Sequence, residues 1–188
     1  HHQHQRAIAC GDHVCAILSN HDEAAELAAD WLAEGLGRGE RCWYLAVGSD
    51  QRLRDALLAR HIHADAEMQR GAFRIVDAMQ TYLVDGVFNA ERAVSLFSDI
   101  VQQAVRDGFT GFRAAADMSW AATVADVDDR VIAYESLLKT LFASQRATGL
   151  CLYHRDQVSP RLREGVLATH PKVGAGGRVT VNPFYEPA

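Results

Sequence analysis

Lysine is nearly missing from this chain. Of its 19 basic residues only Lys139 and Lys172 are lysines, and neither stands in a glycine-rich loop. A phosphate-binding loop needs glycine amides to cradle the phosphates and a lysine to neutralise them. The segment after the first apolar run, Ser19-Asn20-His21-Asp22-Glu23, has no glycine or lysine and adds two carboxylates. Ordinary NTPase chemistry is therefore not expected, and Asp22 and Glu23 read as helix-capping and dipole-compensating residues. Gly35-Leu36-Gly37-Arg38-Gly39 resembles a nucleotide loop only superficially, because it follows a helix instead of a strand. No Gly-x-Ser-x-Gly elbow and no Cys-x-x-Cys pair occurs among the 188 residues, so neither a hydrolase nucleophile nor a paired-thiol metal motif is signalled. No apolar run reaches the roughly 18 residues of a membrane span, and no charged-then-apolar leader opens the chain. A net charge of -5 and a pI near 6 leave no electrostatic footprint for nucleic acid. The expectation is a cytoplasmic protein with no membrane and no direct nucleic-acid contact.

What is present is an ordinary globular composition, 48% hydrophobic and 23% charged, long enough for one domain with its own core. The opening His1-His2-Gln3-His4-Gln5-Arg6 reads as a flexible terminal segment or tag remnant, so residues 1–10 are set apart from a single domain over 11–188. Cys10, Cys15, Cys42 and Cys151 are expected to be reduced and mostly buried, as inert packed thiols in the strands.

Periodicity organises the rest. Val14 to Leu18 is a short apolar run, and Leu27, Trp31, Leu32 and Leu36 recur at helical spacing after it. Strands follow at Cys42 to Val47, Phe73 to Val76, Gly111 to Ala116, Thr148 to Tyr153 and Arg178 to Val181. Helices follow at about 50–60, Ala90 to Asp107, Val127 to Leu141 and Pro160 to Thr169. Asp77 to Asn89 has no clean period and reads as a covering loop or a one-turn helix around Tyr82. His61-Ile62-His63-Ala64-Asp65 lies in a polar connection and reads as a solvated histidine pair. Alternation of strand and helix predicts an α/β fold, a mostly parallel central sheet with helices on both faces.

In such a sheet ligands gather at the carboxyl ends of strands. That rim offers Asp117, Trp120, Tyr153 and His154, with Tyr185 if the tail folds back, an aromatic wall with a few polar groups that suits a small molecule. His13 and Cys15 are two apart and share a face of the first strand. Two ligands do not make a zinc site. His154 stands too far along its strand to join them, over 15 Å at about 3.3 Å per residue, whereas His170 returns to the level of His13. A structural role and metal ligation by His13, Cys15 and His170 both stay open, with no metal and no cofactor as the first expectation.

Several pieces in order resemble one family. Gly11-Asp12-His13-Val14-Cys15, the stretch from Trp31 through Gly35-Leu36 to Gly39-Glu40-Arg41-Cys42, Met118-Ser119-Trp120, Tyr134-Glu135, Cys151-Leu152-Tyr153, His170-Pro171 and Asn182-Pro183-Phe184-Tyr185 are together similar to the MEDS family. This is the methanogen/methylotroph sensory domain of the dichloromethane-responsive repressor, and the likeness runs from about Gly11 to Pro187. It implies a RecA/KaiC-like frame without the phosphate loop. It also implies a non-catalytic sensory module for small hydrocarbon derivatives, acting through an attached or partner DNA-binding, kinase or anti-sigma regulator domain, with a homodimer possible. The family's early His and Cys fall on His13 and Cys15, while the aromatic that relatives place near Ser19 is missing. The candidate ligand-binding set is His13, Cys15, Asp117, Trp120, Tyr134, Glu135, Tyr153, His154 and Tyr185. The alternative is a metal- or haem-dependent redox sensor built on His13, Cys15 and either His170 or Cys151.

Overall fold

The computed structural model describes residues 10–175 and 178–187, so the histidine tract at positions 1–4 lies outside the described residues. The first unit sets the pattern. Strand β1 (His13–Leu18) turns Val14, Ala16 and Leu18 toward one face of the sheet and His13, Cys15 and Ile17 toward the other. Helix α1 (His21–Gly37) is capped at Asn20, whose side chain accepts the Glu23 amide at 2.8 Å. The Glu23 carboxylate in turn accepts from the Ser19 amide and hydroxyl. This reciprocal capping uses the chain's own side chains where a phosphate loop would use an anion.

The remaining strands are β2 (Arg41–Ala46), β3 (Phe73–Asp77), β4 (Leu83–Val84), β5 (Val87–Phe88), β6 (Phe112–Asp117), β7 (Ala147–His154), β8 (Lys172–Ala175) and β9 (Arg178–Val181). Among the described residues seven of the nine strands form one sheet in the order β3-β2-β6-β7-β1-β8-β9, parallel throughout except for the β8–β9 pair. One face carries α1, α2 (Gln51–Leu58) and α3 (Ala64–Gln69). The other carries α4 (Ala78–Tyr82), α5 (Ala90–Arg106), α6 (Asp128–Ser144) and α7 (Pro160–Thr169). Burial of side chains such as Trp31, Leu32, Leu45 and Phe112 stabilises each layer by roughly 2 kcal/mol per large apolar group.

Three segments differ from the sequence expectation. Asp77 to Asn89 is a short helix followed by a hairpin, turned by Asp85 and Gly86 at positive φ of 54° and 72°, the Asp-Gly pair that a type I′ turn requires. The histidine-bearing connection after α2 leads into α3, and His61 and His63 are exposed as expected. Strand β8 was absent from the periodic reading because it is four residues long and holds a lysine and two small residues. Gly174 lets α1 pack closely there, since a Cβ would meet the end of the Leu27 side chain at 3.0 Å. Among the described residues no helix is long and apolar enough to cross a membrane.

Candidate functional site

His13, Glu135 and His170 converge inside the molecule, away from the carboxyl rim. His13 opens β1 and faces α6 and α7. Glu135 projects from the middle of α6 toward the sheet, Cys151 and Tyr153 stand on the same face of β7, and His170 closes α7 just before β8. Close helix packing makes this meeting possible. A Cβ on Gly165 of α7 would lie 2.4 Å from Ile132 of α6, and one on Gly149 of β7 would lie 2.4 Å from the Phe142 ring. Phe142 in turn packs against the His13 ring, with centroids 5.1 Å apart.

Glu135 is the hub. Its Oε2 lies 3.0 Å from His13 Nε2, 3.0 Å from His170 Nε2 and 3.4 Å from Cys151 Sγ, while its Oε1 accepts the Tyr153 hydroxyl. Cys151 Sγ is also 3.6 Å from His13 Nε2, and the two imidazole rings are 3.8 Å apart at their centroids. His170 Nδ1–H donates to the Val166 carbonyl at 2.7 Å, which fixes the ring and aims Nε2 into the cluster. His13, Glu135 and His170 are buried to 1% exposure or less.

Charge inside this cluster follows from its geometry. Burial pushes the Glu135 carboxyl up, but the His170 charge and the close approach of both histidine nitrogens outweigh it and hold the group well below the usual carboxylate range. Burial and then the neighbouring His170 charge drive His13 down to about 4. Burial also works against a charged His170, yet Glu135 raises it well above an ordinary imidazole. The two tilted rings thus share one positive charge, on His170 beside Glu135. Burial and the Glu135 charge push the Cys151 thiol up to about 12, and the same two causes raise Tyr153.

Beside the cluster, a cavity of about 20 Å³ opens between the sheet and α4, α5 and α6. Its walls include Leu45, Phe97, Phe112, Ala114, Ala116 and Phe142, with Cys151 at one side. Its polar edge is the Tyr134 hydroxyl, which donates to the Tyr82 hydroxyl at 3.2 Å. The small residues of β6 create this space, as their poverty in bulk suggests. Trp120 stacks on Tyr82 at 4.7 Å and belongs to the aromatic core roofing the cavity.

The nine candidate residues therefore divide. His13, Glu135 and Tyr153 meet directly, and Tyr134 reaches the adjoining cavity. Asp117 and His154 form a separate pair at the carboxyl rim, 3.5 Å apart, with His21 of the first loop 4.6 Å from the His154 ring. Tyr185 lies elsewhere, 5.3 Å from Lys139 on α6. Cys15 of the alternative metal triad adjoins His170, while the set whose ligand atoms all lie within 4.8 Å of one another is His13, Glu135, Cys151 and His170. Cys151 stands opposite Cys15 in the β1–β7 register, not opposite His13, so it joins the set through its side chain, which turns toward Glu135 at 3.4 Å. Among the described residues the cavity beside this set is about 20 Å³, far smaller than a haem. The sequence reading left Cys151 between an inert packed thiol and an alternative ligand, and gave Tyr82 no role in a site. A usable signal for Cys151 is its spacing of two from Tyr153, which places both on one strand face.

No curated protein matches the sequence. Among solved structures the chain is similar to a KaiC-like protein from the hyperthermophilic archaeon Pyrococcus horikoshii OT3, at 14% identity and a TM-score of 0.61, over 87% of this chain and 69% of that one. That likeness establishes the RecA/KaiC-like frame. MEDS, the MEthanogen/methylotroph, DcmR Sensory domain, matches residues 12–171, a span from the start of β1 to the residue before β8 that takes in the whole histidine–glutamate cluster, and the chain belongs to this family of sensory domains.

Proposed function

We propose that this domain senses a small, largely uncharged molecule, a hydrocarbon derivative or related metabolite, and regulates an attached or partner DNA-binding, kinase or anti-sigma module. The observation that carries the reading is the apolar cavity between the sheet and α4, α5 and α6, with two tyrosine hydroxyls and the Cys151 thiol at its edge. A cavity of about 20 Å³ is little more than the roughly 10–15 Å³ one water needs, so a ligand of a few heavy atoms enters by pushing its walls outward. Apolar walls reward the carbon skeleton, and the Tyr82–Tyr134 pair offers one donor and one acceptor to a hydroxyl or carbonyl. Self-capping of α1 supports the same reading, because the amides a nucleotide would use already have partners.

The test is a thermal-shift screen over short alcohols, aldehydes and halomethanes. A ligand at 100 times its Kd adds about 2.7 kcal/mol, which raises Tm by roughly 5–10 °C for a domain of this size. Ala116→Val, which adds two methyl groups to the cavity wall, should abolish the shift. Absence of a shift with every class, or a shift unchanged in Ala116→Val, refutes the reading.

A further inference from the structure

We infer that His13, Glu135, Cys151 and His170 form a closed binding site for one divalent transition-metal ion of the zinc class. This inference stands independently of the small-molecule reading, since it concerns the cluster and not the cavity. Its first support is shape. In a tetrahedral site with zinc bonds of about 2.0–2.1 Å to nitrogen and oxygen and 2.3 Å to sulfur, neighbouring ligand atoms lie roughly 3.3 Å apart, or 3.6 Å where one is sulfur. The measured edges are 3.0 Å for each histidine nitrogen to Glu135 Oε2, 3.4 Å from Cys151 Sγ to that oxygen, and 3.6 Å from Sγ to His13 Nε2. All four ligand atoms lie within 4.8 Å of one another.

The second support is the surroundings. His170 Nδ1–H is held by the Val166 carbonyl, and Tyr153 donates to the non-ligating oxygen of Glu135. Outer-shell hydrogen bonds of this kind orient metal-bound imidazoles and carboxylates. His170 Nε2, fully buried, faces Glu135 without a properly directed hydrogen bond. The third support is charge. A divalent cation with one carboxylate, one thiolate and two neutral imidazoles sums to zero, which a fully buried site requires. On binding, Cys151 and His170 each release a proton to solvent. The cost falls on His13, whose Nδ1 lacks a partner among the described residues. Four protein ligands leave no open position for substrate, so the chemistry is that of a structural or sensing ion.

The test uses the full chain with His1, His2 and His4 changed to alanine, which removes adventitious binding by the terminal tract. Protein from zinc-supplemented culture should carry about one metal ion per chain after dialysis, as a closed site loaded during folding would. Refolding with cobalt(II) should give the visible bands of a tetrahedral ion and a thiolate-to-cobalt charge-transfer band. Cys151→Ser, a near-isosteric change, should lose the charge-transfer band while its circular dichroism is unchanged. Tyr153→Phe should weaken cobalt affinity roughly 10-fold or more. Metal well below stoichiometry together with no cobalt bands overturns the inference and makes the cluster an internal ion-pair network. A charge-transfer band that survives in Cys151→Ser overturns the ligand assignment.

Discussion

Removing the hub of the buried cluster should be among the most destabilising single changes this domain can suffer. Glu135→Ala, studied with a chelator present, takes away the acceptor shared by Tyr153, His13, His170 and Cys151. It leaves a side-chain-sized void in a region with no exposure to water. Breaking a buried charge pair by deleting one partner costs about 3–5 kcal/mol. A domain of this kind has about 5–15 kcal/mol in total, so the variant sits near the limit of folding. With a urea m-value of about 2–3 kcal/mol/M, the midpoint should fall by roughly 1–2.5 M. Glu135→Gln separates charge from shape. Its carbonyl keeps the Tyr153 hydrogen bond, and its amide can donate to the two Nε2 atoms once His170 is neutral, so the loss should stay below about 1.5 kcal/mol. Equilibrium urea unfolding followed by circular dichroism measures both. If alanine costs less than glutamine, or both cost under about 1 kcal/mol, Glu135 does not organise the cluster.

Three further changes probe other parts of the structure. Gly149→Ala drives a methyl group into the Phe142 ring and should cost about 1–3 kcal/mol by overpacking in a thermal melt, with Phe142→Leu in the same chain recovering part of it. Arg113→Ala strips the fully buried guanidinium that bonds Glu40 at 2.6 Å and the Trp31 carbonyl at 3.1 Å, and should cost about 3–5 kcal/mol, whereas a loss under 1 kcal/mol would mean that Glu40 finds water. Asp117→Asn tests the rim pair through pH. Hydrogen bonding to Asp117 raises His154. Asp117 is lowered because its hydrogen bonds to His154 and Ser119 outweigh burial. The Asp117 contribution is present above its unfolded pKa near 4 and lost as pH falls. The His154 contribution is full below about 6.5 and lost as pH rises through its folded value. The gap between wild type and variant should therefore peak near pH 5–6 at about 1 kcal/mol and shrink by pH 9, and a pH-independent gap would dismiss the ion pair.

The frame was legible because its signals are local. Runs such as Val14 to Leu18, the helical spacing of Leu27, Trp31 and Leu32, and the small residues of β6 each state their role within a few positions. Asp85-Gly86 was equally readable as a hairpin turn, but strands of two residues on either side carry too little pattern to betray it. The cluster is another matter. Tyr134-Glu135 and His170-Pro171 stood out only through family resemblance, and periodicity alone makes Glu135 a polar residue on an apolar helix face. That it points inward depends on Gly165 letting α7 approach Ile132, and on Gly149 yielding its place to Phe142. Neither condition can be read from spacing.

The division of the predicted site also has a physical origin. A parallel sheet presents backbone amides and helix N-termini at its carboxyl rim, which is why ligands collect there. In this chain Asn20 accepts the Glu23 amide of α1, Glu23 accepts the Ser19 amide just before it, and Asp117 accepts the Ser119 amide at 2.9 Å. Polar groups at the rim are thus largely paired with one another, while the interior between β1, β7, α6 and α7 gathers an ionised carboxylate, two imidazoles and a thiol. Such groups are costly to bury and must be held by well-matched partners. Adjacent residues of α6 connect the two interior features, since Tyr134 edges the cavity and Glu135 anchors the cluster, and Cys151 touches both. A ligand that moves α6 cannot change one without changing the other. If both proposals hold, an alcohol or halomethane that stabilises the protein should also alter the cobalt spectrum, and an unchanged spectrum at saturating ligand would show that cavity and cluster act separately.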